Sequence, residues 1–462
     1  MSKRAKYTIV AVVLVQIGLI VFLSVMPSLV QALPGELRVR LARVPLADRL
    51  LDIGVTPLPT ALPAPEQVAG PPIITIPTFA PATATPVEVT ATSAPTEVST
   101  VAPTTAATAV LEVEVMATAT LAPTETPQPT ATATAVPLPI QARIDGLTII
   151  PQGFNNCGPA NLTINLNFYN DPTTQPQAAA FLKPNREDRN VSPWQMVDYV
   201  NEQTTMRAFV GSGGDLELIK RFVSNGLPIV IEKGYELPSQ GWLGHYLTIF
   251  GYDDAMQEMV SMDTNLGPWD GSGRIDSYAE IEHFWQQFNR TFFVVYPPEQ
   301  EELVQELLGA EMLDTATMWS QAAQQAQAEI AADESNAFAW FNLGTSLTRL
   351  GEMTGEAEFY QNGAAAFDQA RTLGIPPRIV WYQFRPYVAY LKIGRYDDII
   401  TLADATLTTQ GGRNVEETYL YKGHALAFQG DGPGAVAAYE QALALNQNFY
   451  PAQWALDSIT GS

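Results

Sequence analysis

The stretch PQGFNNCGPANLTINLNFY, Pro151 to Tyr169, holds the only cysteine of a 462-residue chain, and its reading decides the fold. Gly158 and Pro159, directly after the thiol, interrupt the preceding segment. Proline is tolerated in the first turn of a helix, so Cys157 is expected at a helix N-terminus. The partial positive charge there favours a thiolate over a thiol. From Asn161 to Tyr169 the run looks amphipathic, with Leu162, Leu166 and Tyr169 on one helical face. An ordinary thiol titrates near about 8.5 and is only a few per cent thiolate at neutral pH. A nucleophilic cysteine therefore needs a base or a positive field beside it.

Candidates for that base lie downstream. His245 begins the strand-like run HYLTIFGYDD, where its imidazole would meet the sulfur. Asp263 closes the next strand, MVSMDT, and would hold the imidazole in the useful tautomer. Asp253 and Asp254 end the preceding strand and stand as alternatives, either as turn residues or as the partner itself. Gln152, shortly before the thiol, would donate its amide to the oxyanion of a tetrahedral intermediate. The plainer accounts are a cysteine acting as a small buried hydrophobe, a satisfied core histidine and a polar loop glutamine. His283 in YAEIEHFWQQF and His424 in YKGHALAF lie on helical patterns and read as packing or surface residues. VGSGGD is a turn ahead of a helix rather than a dinucleotide loop, because it lacks the G-x-G-x-x-G spacing.

Composition narrows the function further. The net charge is -23, and no basic run interleaves with aromatics, so nucleic acid is excluded as a partner. One cysteine excludes an internal disulfide framework, and the three histidines are too far apart for a local metal motif. No cofactor and no metal are expected.

Around the thiol, residues 141–298 form a domain of mixed class. SPWQMVDYVNEQ starts a helix at Ser192 and Pro193, and DLELIKRFVSNG has Asp215 as N-cap and Gly226 as stop. LPIVIE, HYLTIFGYDD, QEMVSMDT and RTFFVVYP read as strands. Helices first and an antiparallel sheet afterwards describe an α+β domain.

From about Leu147 to Tyr296 these segments resemble the papain-like cysteine peptidases of the C39-like group, relatives of the domain that trims double-glycine leader peptides. The carriers are Gln152 with NNCGPA, then DLELIKRFVSNGLPIVIE, GHYLTIFGYDD and the acid of MVSMDT. The resemblance implies a papain-like fold acting on a peptide or protein substrate. It makes Cys157 the nucleophile, His245 the general base and acid, Asp263 the orienting acid and Gln152 the oxyanion donor. No transporter domain or P-loop motif follows, so the double-glycine substrate is not carried over.

Residues 1–32 read as an N-terminal transmembrane anchor or signal segment. Tyr7 to Val30 carry no charge, follow Lys3, Arg4 and Lys6, and are long enough to cross a bilayer as a helix. VQA before Leu33 offers a small-residue cleavage site, but a typical signal core is only about 7–15 residues, which favours the uncleaved anchor. Residues 33–140 form a Pro/Thr/Ala-rich disordered stretch, and Val55 to Pro139 contain no Lys, Arg, Trp or Tyr. That composition cannot bury a core; it suits an exported stalk or a plain linker. The stalk reading places the folded part outside the cytoplasm.

Residues 299–462 turn Ala-rich with helical periodicity. Trp340, Leu343, Gly344 and Leu347, followed by GAAAFDQA and by Pro376 and Pro377, resemble one tetratricopeptide (TPR) unit. Tyr419, Gly423, Leu426, Gly430, Ala435, Tyr439 and Ala442 resemble another, and a degenerate copy with Arg385 at a usually small position lies between them. An all-α TPR-like solenoid of about three repeats implies a protein or peptide partner on its concave side. A single helical bundle is the plainer alternative. The combined expectation is a membrane-tethered extracytoplasmic cysteine peptidase. Its competitors are a catalytically silent binding scaffold and a transglutaminase-type acyltransferase, which uses the same Cys, His and Asp order.

Overall fold

Seven strands, all antiparallel to their neighbours, build one sheet among the described residues. They are β1 (Gln141–Arg143), β2 (Arg207–Gly211), β3 (Ile229–Leu237), β4 (Gly241–Asp253), β5 (Glu258–Met262), β6 (Arg274–Ser277) and β7 (Phe292–Tyr296). The order across the sheet is β2-β7-β3-β4-β5-β6, with β1 also paired to β4. This is a computed structural model, and it describes residues 16, 61–66, 76, 137–237 and 241–461. The expected span Tyr7–Val30, apart from Gln16, and most of the Pro/Thr/Ala stretch lie outside the described residues. No helix among those described is long and apolar enough to cross a membrane.

The centre of the sheet is where β-branched and aromatic residues run uninterrupted. Ile229, Val230 and Ile231 pair with Val294, Phe293 and Phe292, all buried, as strands covered on both faces require. The sequence ends this strand at Glu232, yet it continues to Leu237, and its partner begins at Gly241 rather than at His245. The polar half of the hairpin lacks the apolar signal but has a partner for every residue, down to Leu237 opposite Gly241. That extension sets His245 opposite Lys233. Strands also precede the sheet's main body in sequence. β1 is three residues long and β2 starts at an exposed arginine, so neither carries a period that announces it.

Helix α1 (Cys157–Phe168) starts at the thiol. It is not amphipathic: every residue from Gly158 to Leu166 is buried. Leu162 and Leu166 pack with Val230, Tyr246 and Phe293, while Ile164 packs with Ile229, Leu247 and Phe292. Its polar residues survive burial because they are bonded, as described below. Helices α2 (Gln175–Leu182) and α3 (Pro193–Gln203) follow, the second opened by a capping box between Ser192 and Gln195. Asp215 caps α4 (Leu216–Ser224) by accepting from the Leu218 amide at 2.6 Å, and Gly226 ends it at φ 77°. Helix α5 (Tyr278–Trp285) completes this part.

The C-terminal region is wholly helical: α6 (Glu301–Leu313), α7 (Thr315–Ala332), α8 (Ala337–Thr354), α9 (Ala357–Thr372), α10 (Arg385–Lys392), α11 (Tyr396–Leu407), α12 (Glu416–Phe428), α13 (Gly432–Leu445) and α14 (Tyr450–Thr460). GEMT forms the last turn of α8, and Gly355, at φ 75°, makes the turn into α9. Two glycines let paired helices meet. A Cβ on Gly344 of α8 would lie 2.8 Å from the ring of Phe367 on α9, and one on Gly423 of α12 would collide with the ring of Tyr439 on α13. Arg385 opens α10 and pairs with Glu352 at 2.7 Å. Within the expected disordered stretch, Ala61 to Glu66 is not free chain: Leu62 is buried in the core of these helices.

Candidate active site

Three elements bring the site together: the first turn of α1, the middle of β4 and the turn after β5. Cys157 is the first residue of α1, and no side chain caps that helix, so its leading amides are free to face the sulfur. His245 on β4 is 4 % exposed, and its Nε2 lies 3.2 Å from Oδ1 of Asp263, itself 1 % exposed. With Nε2 taken by the carboxylate, Nδ1 is the ring nitrogen left for the sulfur, and the thiol is the imidazole's other hydrogen-bonding side chain. Asp263 Oδ1 also accepts from the amides of Asn265 and Leu266, 2.9 Å each, which fixes the carboxylate in place. Tyr235 stacks on the imidazole at 5.0 Å between ring centres.

The electrostatics follow from this geometry. Burial pushes the Cys157 thiol up, but the hydrogen bond and charge of His245, with the backbone at Tyr246 and Gly158, outweigh it and bring the thiol below its ordinary value. Burial lowers His245, and the charge and hydrogen bond of Asp263 reverse that, raising it to about 9. Burial raises Asp263, and His245 with the two amides draws it down to about 2. All three shifts favour a thiolate, an imidazolium and a carboxylate in a row.

Gln152 is tied to Thr264, the residue after Asp263. Its backbone N–H donates to the Thr264 carbonyl at 2.8 Å, and the Thr264 hydroxyl donates to Gln152 Oε1 at 2.8 Å. The acceptor end of the side chain is thus occupied, which leaves the –NH2 end as the one able to donate to an oxyanion.

The other acids do different work. Asp253 accepts from the amides of Ala255 and Met256 in the turn after β4, and Asp254 binds Lys220 and the Tyr278 hydroxyl. Neither meets the imidazole. His283 stands edge-on to Phe284, and His424 Nδ1 lies 2.9 Å from the Tyr439 hydroxyl in the C-terminal helices.

Several residues of the site escape a reading by motif. Asn161, fully buried, donates to the carbonyls of Cys157 and Tyr246, 2.9 Å each, and accepts from the Thr248 hydroxyl at 2.8 Å. Asn165 donates to the same hydroxyl at 2.9 Å. These bonds lace α1 to β4 and fix the thiol against the strand that carries His245. The trace in the sequence is spacing alone: Asn161 and Asn165, four apart, share one face of a helix that also holds Thr163 and Asn167. Buried Lys183 puts its ammonium near Asn156 and the Arg186 carbonyl, within the electrostatic reach of Cys157. Glu232 sits opposite Tyr246, and burial raises its carboxyl to about 8. It also lines a cavity of about 510 Å³ together with Ser192, Trp194, Tyr382 and Tyr421, a lining that does not include Cys157, His245 or Asp263.

The model of the Peptidase_C39 like family matches residues 134–293, the part of the chain that carries this site. Among solved structures, the chain is similar to a Bacillus anthracis protein described as a C39-like peptidase: 14% identity, 34% of this chain and 96% of that one covered, TM-score 0.28. No curated protein matches the chain. The family match supports a peptidase-like fold for this region.

Proposed function

We propose that the chain is a cysteine peptidase that hydrolyses peptide bonds, and the observation that carries the proposal is the row Cys157, His245 and Asp263 with its opposed charges. The thiolate of Cys157 attacks the scissile carbonyl carbon, and its electron pair forms the C–S bond while the carbonyl π pair moves to oxygen. That oxyanion is met by the leading amides of α1 and the Gln152 –NH2. The tetrahedral intermediate collapses with cleavage of the C–N bond, and the His245 imidazolium gives its proton to the departing amine. The neutral imidazole then takes a proton from water, whose oxygen attacks the thioester and releases the acid and the thiolate. Asp263 holds the ring in one tautomer throughout.

In the same reading, Tyr7–Val30 tethers the enzyme to a membrane, the Pro/Thr/Ala stretch spaces it on the extracytoplasmic side, and the TPR-like helices bind a protein or peptide. The test is turnover of a mixed peptide pool by the wild type and by Cys157→Ala. Hydrolysis by the first and none by the second supports the peptidase; equal rates, or no hydrolysis by either with peptide still bound, favour a silent scaffold.

A further inference from the structure

We infer that the C-terminal helices hold a groove for an extended, proline-containing peptide and that its resident ligand is the chain's own segment Leu62–Glu66. The segment ALPAPE, Ala61 to Glu66, shows a burial period of three: Leu62 and Pro65 are buried, while Ala61 and Ala64 are exposed. Three residues per turn is the repeat of polyproline II, whose backbone makes no hydrogen bonds of its own and must find them elsewhere. Here it finds them on the helices. Arg371 on α9 donates to the Pro63 carbonyl from Nε at 2.9 Å and from Nη2 at 2.6 Å. Three residues on, the Glu66 amide donates to Oδ1 of Asp398 on α11 at 3.2 Å.

The receiving side is rigid. Arg371 is also bonded through Nη1 to the Tyr390 hydroxyl at 3.0 Å and to Asp398 at 3.2 Å, and Arg395 holds Asp368 at 2.6 Å. The guanidinium therefore presents a fixed fork to one carbonyl, and Asp398 an acceptor to one amide. Leu62 supplies the apolar anchor among the core residues of the same helices, against which Ile76 also packs. Prolines at 63 and 65 suit the site because they bring no N–H that would need a partner. Covalent linkage makes the docking intramolecular, so the segment holds the groove at a high effective concentration.

The inference is independent of whether Cys157 is catalytic. It is tested on the full chain in detergent with a site-specific protease sequence inserted between Ala82 and Pro137. After cutting, the N-terminal fragment of the wild type is expected to co-elute with the folded body on gel filtration, and Leu62→Asp to lose that co-elution. Arg371→Ala is expected to lose it too. Because that arginine belongs to the helices' own ion cluster, Leu62→Asp, which alters the ligand alone, decides. A wild-type fragment that separates, or a Leu62→Asp fragment that stays as the wild type does, overturns the inference.

Discussion

Two of the buried ionic clusters among the described residues are made of different residues for different ends. In the first, Cys157, His245 and Asp263 pair a thiol, an imidazole and a carboxylate. In the second, Asp368 and Asp398 meet Arg371 and Arg395, with Asp368 fully buried. A guanidinium stays charged at any physiological pH, whereas an imidazole and a thiol exchange protons near neutrality. The first cluster is therefore suited to moving a proton and the second to holding a backbone. Burial alone distinguishes nothing between them; the titrating chemistry does.

The largest expected effect breaks the first cluster. Cys157→Ala should abolish peptide turnover while leaving the fold intact, since the smaller side chain fits where sulfur stood; circular dichroism beside the assay checks both halves. In the second cluster, Asp368→Ala leaves the two arginines sharing Asp398 alone and removes the acceptor of the Tyr390 hydroxyl, 2.8 Å away. Breaking a buried pair in this way costs about 3–5 kcal/mol, to be read in denaturant melts. Gln152→Ala should slow turnover by about a hundred- to a thousandfold, roughly 2.7–4 kcal/mol of barrier, with stability nearly unchanged. A loss of the same size in stability but none in rate would make Gln152 a strut for Thr264 and not an oxyanion donor.

Acid and alkali sharpen the same contrast. His245, raised to about 9, contributes stability that is full below about 6.5 and lost as pH rises through about 9. Asp263, drawn down to about 2, contributes stability that is full above about 3.8 and lost as pH falls through about 2. Melts of the wild type should thus soften at alkaline pH, and melts of His245→Ala should not show that component. Glu232 runs the other way from Asp263. Its buried carboxyl, raised to about 8, keeps its proton when the unfolded chain has lost it, so folding weakens as pH climbs from about 4.5 to about 8. Glu232→Gln should remove that slope and gain on the order of 1–3 kcal/mol at the alkaline end.

What was legible in the sequence was whatever is local. NNCGPA announces a helix start, and the helix starts at Cys157; Asp215 and Ser192 announce caps, and both cap. The close-packed glycines 344 and 423 stand out by spacing, and both lie against aromatic rings of the neighbouring helix. Contacts distant in sequence left no such trace. The bond between Arg371 and Pro63 joins positions 308 apart, and a proline-rich run reads as free chain until a partner is seen. Asn161 was hidden differently: the apolar period around it suggested a helix with a wet face, whereas α1 is buried all round and its polar residues bind β4. Strands β1, β2 and β6 carry no signal in the sequence, because short pairing at the margin of a sheet needs no hydrophobic run.

The central claim is that His245 makes Cys157 a thiolate, and the rate of iodoacetamide alkylation against pH tests it most directly. In the wild type the inflection should fall well below that of an ordinary thiol. In His245→Ala it should move above, because burial then acts on the sulfur without its partner. A wild-type curve that follows an ordinary thiol, unchanged in His245→Ala, would contradict the account.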